Sequence, residues 1–405
     1  MQHSICIPGV PPVEVSELYR IIDAEPFQAL RERKQLGVNS LIFPGAVHTR
    51  FEHSIGVLSL TQRLCRIHGI TGSEALHLQA FALLHDIGHG PFSHQTEPVL
   101  QGGHHHQGLK IIARLSPLLK ELGLDPFRLC QMIQGTDPLG AWISDRNLGA
   151  DKLDYLSRDA LHIGFFGTPD IERIQYYTVM TPDGLAIEDK FTEEAKQLQK
   201  FYTYLHQHGY LNKTALIAQR MLQRACQERL ALEPERQAEC WGFTDSELIS
   251  FLADGASPLA TQLTNRIKRR ELYRTFLVIK PNGYAYMERE SNKPIQVREW
   301  DEDRLYAFCE KCNDLGFLSE LEDRLSAEFG LPPGSVLFAA MPYFSKLIPK
   351  DLRVHCEGGE DYWLFAKDVA HCRSLASDYL RTFSVRLACP LEQRERLAAL
   401  TDIDF

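Results

Sequence analysis

The stretch that decides the fold is Leu84-His85-Asp86-Ile87-Gly88-His89-Gly90-Pro91-Phe92-Ser93-His94. Residues 74–84 repeat leucine and alanine at helical spacing, which predicts a helix with one buried face. Gly88, Gly90 and Pro91 then predict that this helix ends abruptly. An adjacent histidine and aspartate therefore stand at a helix end, and such nitrogen and oxygen donors bind divalent metal ions. A lone buried His-Asp pair more often makes a simple hydrogen bond, so the rest of the sequence has to show whether this pair binds a metal.

The bulk composition is that of an ordinary globular protein. The chain has 405 residues, 44% of them hydrophobic, and this length favours two lobes over one small core. No apolar run reaches membrane-spanning length and the N-terminus lacks a basic and apolar leader, which predicts a cytoplasmic protein without membrane contact. A net charge of −9 argues against a broad nucleic-acid-binding surface. A local cluster of cations can still hold an anionic small substrate.

The periodicity of apolar residues predicts a mainly α fold, with a helical body over 1–270 and a smaller α+β lobe over 271–405. The turn signal Thr181-Pro182-Asp183-Gly184 predicts a small hairpin near 176–187. Helical patterns cover 16–34, 51–68, 108–122, 125–134, 145–162, 192–232, 303–329 and 369–387. Strand-like segments cover 273–280, 284–287, 335–341 and 361–365.

Three motifs stand in order along the helical body: HTRFEHSIGV at 48–57, HDIGHGPFSH at 85–94 and DKLDYLSRDALHIG at 151–164. Together they resemble the HD-domain metal-dependent phosphohydrolases, and in particular the deoxynucleoside triphosphate triphosphohydrolases, which are dNTPase- or dGTPase-like enzymes. The resemblance implies one divalent metal ion, with Mn, Mg, Fe and Zn left open. Its implied ligands are His53, His85, Asp86 and Asp151. This set would leave the ion positively charged, with positions open for phosphate.

The resemblance also implies a catalytic group around the metal. Its members are Arg50, His89, His94, Glu97 and His105. The fork of an arginine suits phosphate oxygens, and histidine titrates near neutral pH, as proton transfer requires. Glu97 stands where the family usually has aspartate, and the three consecutive histidines 104–106 leave the register of His105 open.

A further set of residues is implied to bind the nucleotide. It comprises Gln35, Leu36, Lys152, Tyr155, Asp159 and Lys213. In the resembled family the counterparts of Gln35 and Asp159 lie at the sugar 3′-hydroxyl, and that of Leu36 crowds a 2′-hydroxyl. The tyrosine lines the same pocket, and the two lysines would bind the β- and γ-phosphates. For each lysine an ordinary surface salt bridge is the alternative.

Two regulatory or structural sites complete the predictions. Relatives that respond to nucleotides bind a guanine nucleotide between subunits. The same offsets from Gln35 give Asp23, Gln28 and Arg31 in this sequence. The alternative is that these three are ordinary solvent-facing polar residues. The same analogy predicts a homo-oligomer. A structural zinc site is a minority interpretation of a cysteine and histidine group in the second half of the chain. That group is Cys309, Cys312, His355, Cys356, His371 and Cys372.

The predicted function is metal-dependent hydrolysis of deoxynucleoside triphosphates to deoxynucleoside and inorganic triphosphate. Two alternatives stay open. One is an HD-domain phosphatase or phosphodiesterase that acts on a nucleoside monophosphate or on a cyclic or short oligonucleotide. The other is a non-catalytic nucleotide or nucleic-acid sensor, although a pure binder has no need for a full set of metal ligands and proton-transfer groups.

Overall fold

A computed structural model describes residues 3–289, 294–340, 351–400 and 403, and it confirms the mainly α fold class. Short 3-10 turns include Ala29–Glu32, Gly37–Leu41 and Ser93–Gln95. The α-helices of the described chain are Tyr19–Ile22, Glu25–Gln28, Arg50–His68, Gly72–Leu84, Glu97–Leu100, His104–Glu121, Pro126–Gln134, Ala141–Ser144, Ala150–Ile163, Ile171–Tyr176, Thr192–Leu205, Lys213–Leu230, Gln237–Cys240, Asp245–Leu252, Pro258–Lys268, Tyr286–Arg289, Glu302–Lys311, Leu315–Glu328, Leu364–Lys367, Val369–Thr382 and Arg394–Ala398.

The strands form one short pair, Ser4–Ile5 with Val13–Glu14, and two four-stranded sheets. One sheet has the order Thr178–Thr181, Gly184–Glu188, Arg353–His355 and Tyr362–Trp363, with its middle pair parallel. The other has the order Gln296–Trp300, Arg274–Pro281, Val385–Cys389 and Leu337–Ala340. The hairpin predicted near 176–187 is confirmed, and strands from the C-terminal part of the chain extend it into the first sheet.

The helix Arg50–His68 is the central element of the site. Thr49 caps its N-terminus by accepting a hydrogen bond from the Glu52 amide at 3.4 Å, and Gly69 ends it at a φ of 64°. It packs on the helices Gly72–Leu84 and Ala150–Ile163. A Cβ at Gly56 would lie 2.1 Å from Asp154 Oδ1, so glycine is what lets the Ala150–Ile163 helix come close.

Several predicted elements are wrong in detail, among them the helices over 192–232 and 303–329, each of which is broken into two α-helices. The single helix over 16–34 is two short helices and a 3-10 turn, because Pro26 lacks an N–H and stands at the first turn of the second helix. Residues 284–287 lead into a helix instead of a strand. The helix over 369–387 ends at Thr382, and Val385–Cys389, in which all five residues are buried, is an inner strand.

The chain forms two compact units. The first comprises 1–202, 239–246 and 350–372, and the second comprises 203–238, 247–349 and 373–405. Residues 353–363 pair with the 178–188 hairpin and so belong to the first unit, while the domain boundary at residue 270 stays a prediction. Every helix in the described parts of the chain is too short or too polar to cross a membrane.

Candidate active site

Three metal-compatible side chains meet in the first unit. One donor atom from each of His53, His85 and Asp86 lies within 4.8 Å of the others. His53 stands in the first turn of the Arg50–His68 helix, and the other two residues directly follow the end of the Gly72–Leu84 helix. The Asp86 Oδ2 atom is 3.6 Å from Nε2 of both imidazoles. The predicted His-Asp pair and the predicted histidine of the preceding helix are therefore brought together.

The two imidazoles are oriented by hydrogen bonds on their outer nitrogens. His53 Nδ1 is 2.9 Å from Asp154 Oδ2, and His85 Nδ1 is 2.9 Å from the carbonyl oxygen of Ala82. A carbonyl only accepts, so the proton of His85 sits on Nδ1 and its Nε2 keeps a lone pair. That Nε2 atom is buried and has no hydrogen-bond partner among the described residues. Such outer hydrogen bonds are the arrangement that directs imidazole nitrogens to a metal.

Asp151 supplies a second carboxylate, which approaches the same Nε2 atoms of the two imidazoles as Asp86 does. Its Oδ1 is 3.1 Å from His53 Nε2 and 3.7 Å from His85 Nε2. Burial alone would lower the pKa of His53, but hydrogen bonds to Asp151 and Asp154 raise it to about 10. The cluster thus stabilises positive charge where the donors converge. Two imidazoles and two carboxylates fit a divalent metal ion, whose identity they leave open.

Arg50, the first residue of its helix, lies beside this cluster with only 4% of its surface exposed. Its Nη1 donates to Asp86 Oδ2 at 2.5 Å, and its Nε donates to Ser93 Oγ at 2.9 Å. Burial raises the pKa of Asp86, but the charges of His85 and Arg50 hold it well below its usual value. The predicted arginine therefore reaches the metal cluster, where its fork can meet phosphate oxygens.

A second cluster lies on the following loop, and it revises one prediction. Glu97 Oε1 accepts from His104 Nδ1 at 2.6 Å and lies 3.4 Å from His89 Nδ1, while Oε2 accepts from His94 Nδ1 at 3.1 Å. Burial raises the pKa of Glu97, but hydrogen bonds from His104 and His94 and the nearby imidazole of His89 hold it far below its usual range. His105, predicted for the supporting role, is exposed, and within the register left open at 104–106 it is His104 that contacts Glu97. The helix begins at residue 104, and its first side chain is the one directed to the loop.

The proposed sugar pocket is organised along one face of the Ala150–Ile163 helix. Asp151, Tyr155 and Asp159 are four residues apart and so lie on the same side. His48 Nε2 donates to Asp159 Oδ1 at 2.7 Å, and the His48 carbonyl accepts from the Gln35 amide at 3.0 Å. Within the described residues, Gln35 Oε1 is buried without a hydrogen-bond partner, as expected of a group kept for a ligand. Leu36 follows at the start of the Gly37–Leu41 turn.

The two lysines predicted for the β- and γ-phosphates differ in their surroundings. Lys152 Nζ lies 3.6 Å from the ring centroid of Tyr202, and burial lowers the pKa of this lysine to about 7 despite the charges of Asp145 and Asp151. Lys213 begins the helix Lys213–Leu230 in the second unit. Both phosphate contacts stay predictions.

The predicted effector residues make contacts with each other and with their own segment. Gln28 Nε2 donates to the carbonyl of Ile22 at 2.7 Å, and its Oε1 accepts from Arg31 Nε at 2.8 Å. The Arg31 guanidinium also lies 3.6 Å from the ring centroid of Phe51. Asp23 is exposed at the end of a short helix. The effector site stays a prediction.

The zinc interpretation of the cysteines gains no geometric support. Among residues the structure describes, two groups of donors could hold a metal, and neither contains a cysteine. Cys309 and Cys312 are buried at the end of a helix, as packed thiols commonly are. His371 Nε2 instead bonds to Gln199 Oε1 at 2.8 Å, and His355 Nδ1 bonds to Asp361 at 2.8 Å.

Sequence reasoning missed the residues that orient His53. Asp154 accepts from Arg158 Nε and Nη2, each at 2.9 Å, and Arg158 Nη1 donates to Glu52 at 2.9 Å. Asp154 and Arg158 are both almost fully buried. The spacing of four residues between an aspartate and an arginine on a helix is the signal that could have identified this pair.

Sequence reasoning also missed the residues that anchor the loop 85–96. Arg33 Nη1 donates to the His89 carbonyl at 2.7 Å, and its Nη2 donates to the Gly242 carbonyl at 2.9 Å. Asp245 Oδ1 accepts from the Phe92 amide at 2.7 Å, where Phe92 adopts a φ of 56° that few side chains tolerate. No local pattern indicates these contacts, because residues 239–246 lie far from the loop in sequence.

Comparisons with known proteins agree with this geometry. Residues 50–158 match the HD domain model, and residues 170–303 match the HD-associated region model. The deoxynucleoside triphosphate triphosphohydrolase SAMHD1 of Homo sapiens is 31% identical over 342 residues, which is 67% of this chain and 54% of that protein. The SAMHD1 homolog of Dictyostelium discoideum is 34% identical over 218 residues, 47% of this chain and 41% of that protein. An uncharacterised protein of Methanocaldococcus jannaschii is 30% identical over 275 residues, 66% of this chain and 56% of that protein.

The chain thus spans about half the length of the curated relatives it matches. Among solved structures, a phosphohydrolase from Bacteroides thetaiotaomicron is similar with a TM-score of 0.72 and 22% identity, covering 96% of this chain and 99% of that one. A hypothetical protein from Aquifex aeolicus also has a TM-score of 0.72 at 22% identity, covering 98% and 99%. These two likenesses establish the fold.

Proposed function

Since this chain belongs to the HD-domain phosphohydrolase family, we propose that it hydrolyses deoxynucleoside triphosphates to deoxynucleoside and inorganic triphosphate. One observation carries this choice of substrate: the Ala150–Ile163 helix bears both a metal-cluster carboxylate and the proposed sugar pocket on one face. Asp151 and Asp159 are eight residues apart, which is about 12 Å of helix. An α-phosphate and its deoxyribose can lie side by side along that length.

The metal site of the proposal consists of His53, His85, Asp86 and Asp151. A divalent ion held there supplies Lewis-acid stabilisation of the negative charge on the phosphate. Arg50 already lies against Asp86, so its guanidinium is in place to neutralise charge that grows on the α-phosphate oxygens during water attack. Its hydrogen bond to Ser93 fixes the direction of the fork.

The proton for the leaving 5′-oxygen comes from the second cluster. Burial and the charge of Arg50 lower the pKa of His89 to about 3, so His89 is neutral near pH 7 and suits a hydrogen bond to phosphate. His94 is 63% exposed and is bonded to Glu97, which makes it the proton donor of this proposal. Glu97 accepts hydrogen bonds from both His94 and His104, which holds the His94 imidazole in position.

Discrimination between deoxyribose and ribose is proposed to come from the loop that carries Gln35 and Leu36. The unpartnered Gln35 Oε1 can accept from the sugar 3′-hydroxyl, together with Asp159. A 2′-hydroxyl placed against the apolar Leu36 side chain would lose its hydrogen bonds to water. The cytoplasm as location, a homo-oligomeric state and a guanine nucleotide effector at Asp23 belong to the same proposal.

A single product assay tests the proposal. Metal-loaded protein is incubated separately with each dNTP, each NTP, a dNMP and a cyclic dinucleotide, and the products are separated by ion-exchange chromatography. We expect deoxynucleoside and triphosphate from the dNTPs, and loss of both turnover and the ion at the His53, His85 and Asp86 cluster in Asp151→Asn. Release of inorganic monophosphate or pyrophosphate would refute cleavage of the bond between the α-phosphorus and the 5′-oxygen. Hydrolysis of the dNMP or cyclic dinucleotide alone would replace the substrate with that of a phosphatase or phosphodiesterase.

A further inference from the structure

Beyond the proposed catalytic ion, the loop after the His-Asp pair has the composition of another metal site. We propose that His89, His94, Glu97 and His104 bind a second divalent ion, and that zinc is the ion they favour. Three imidazoles with one carboxylate are a donor set that tetrahedral zinc accepts. None of the four belongs to the first cluster, so the two ions would be held by separate ligands.

The spacing of the donor atoms supports this site. All four donors lie within 4.8 Å of one another. Glu97 Oε1 is 2.6 Å from His104 Nδ1 and 3.4 Å from His89 Nδ1, and its Oε2 is 3.1 Å from His94 Nδ1. Zinc–nitrogen bonds of about 2.0–2.1 Å in a tetrahedron separate the ligand atoms by about 3.3–3.4 Å. Small side-chain shifts would therefore complete the site.

An independent observation indicates a ligand at this position. His89 is 1% exposed, and its Nδ1 and Nε2 lie 3.4 Å from Glu97 Oε1 and 3.3 Å from Asp86 Oδ1. Neither contact has the geometry of a hydrogen bond, and neither nitrogen has another hydrogen-bond partner in the described part of the chain. A buried polar group without a partner costs free energy, about 1–3 kcal/mol in general. Its Nδ1 faces Glu97, on the side where the other donors converge. Coordination of an ion would satisfy that nitrogen.

The backbone also holds the four ligands together. His89, His94 and Glu97 lie on the 85–100 segment, whereas His104 begins the helix His104–Glu121. A Cβ at Gly88 would lie 2.1 Å from the His104 carbonyl oxygen and 2.3 Å from the Gly108 amide, so glycine is required for the loop to reach this helix. The ring of His104 stacks on that of His89 with centroids 4.0 Å apart. The site is thus fixed by tertiary contacts on both sides.

The same imidazoles carry the proton in the proposed reaction, so an ion bound here would remove the proton donor. This consequence rests on the proposed function, whereas the existence of the site does not. It predicts that protein with only the first ion bound hydrolyses dNTPs and that zinc in excess suppresses this hydrolysis.

The test is a count of bound zinc in the full chain by equilibrium dialysis and elemental analysis, after chelation and reloading. We expect about two zinc ions per chain in the wild type and about one in Glu97→Gln, in His104→Ala and in Asp151→Asn. The double variant Glu97→Gln/Asp151→Asn should hold none. His105→Ala is the matched control, since it removes an exposed neighbouring imidazole and should retain both ions.

Cobalt(II) binding gives a second measurement, which does not depend on catalytic activity. Tetrahedral cobalt should produce visible absorption bands that disappear in Glu97→Gln and persist in Asp151→Asn. His94→Ala replaces a proposed ligand whose side chain is 63% exposed. It is the variant to use if substitution of a buried ligand prevents folding. A wild-type count of about one ion, or a count unaltered by Glu97→Gln and His104→Ala, would overturn the proposal. Two bound zinc ions, together with no dNTP hydrolysis by the manganese-loaded protein before zinc is added, would refute the proposed function alone.

Discussion

Replacing Asp154 by asparagine tests whether the residue behind His53 orients the metal ligand. Asp154 Oδ2 is 2.9 Å from His53 Nδ1, and neither side chain is more than 4% exposed. Asparagine keeps an oxygen that can accept from His53, but it removes the negative charge and turns an amide group toward Arg158. Metal affinity should fall because the imidazole becomes a weaker donor and its ring is less firmly held.

The expected size follows from this environment. Loss of an outer partner of a metal-bound imidazole costs about 10–100-fold in affinity, which is about 1.4–2.7 kcal/mol. The two side chains are buried and little screened by solvent, so we expect a loss of metal affinity near the upper end of this range. Arg158 keeps its hydrogen bond to Glu52, and the helical fold should therefore survive.

Calorimetric titration of chelated protein with Mn²⁺ measures the effect, with far-UV circular dichroism as the check on folding. Asp183→Asn is the matched control, because it removes a carboxylate from an exposed turn in the same unit. It should bind manganese as the wild type does. An Asp154→Asn variant that is folded and binds within about twofold of the wild type would refute the orienting role.

Gly56→Ala should impair folding, because its Cβ would stand 2.1 Å from Asp154 Oδ1; a thermal melt equal to that of the wild type would contradict this. Leu36→Gly should narrow the gap between dNTP and NTP turnover by roughly tenfold to a few hundredfold, and wild-type protein that already hydrolyses both at equal rates would show that Leu36 does not select the sugar. Burial raises the pKa of Glu288, but its ion pair with Arg386 holds it below the ordinary value of 4.5. A depressed carboxyl pKa stabilises the fold at higher pH, so this contribution should be complete above pH 4.5 and lost as the pH falls through the lowered value. Urea unfolding midpoints of Glu288→Gln should therefore depend less on pH in the acid range than those of the wild type. Midpoints of the two proteins that change in parallel with pH would disprove this contribution of Glu288.

The sequence by itself determined the fold class and the chemistry of the centre. Helical periodicity and the glycines of 85–94 identify the helix end that carries His85 and Asp86, because these signals are local and independent of distant packing. The resemblance of the three motifs to the HD-domain phosphohydrolases implied that His53 and Asp151 would join them, and the His53 and Asp151 side chains lie within hydrogen-bonding reach of each other. Each of these two residues lies in the first turn of a long helix, so the order of the motifs was sufficient to predict that they would meet.

Only the tertiary structure decided which neighbours complete the site. Three adjacent histidines are equivalent in sequence, and the angle at which their helix meets the loop directs His104, not His105, to Glu97. Arg33 and Asp245 anchor that loop across more than 50 and 150 residues, respectively, so no periodic pattern could reveal them. Strand Arg353–His355 likewise joins the hairpin near residue 187 through backbone hydrogen bonds, which any sequence can make. Contacts of this kind depend on how the buried surfaces pack together, and that information is spread over the whole chain.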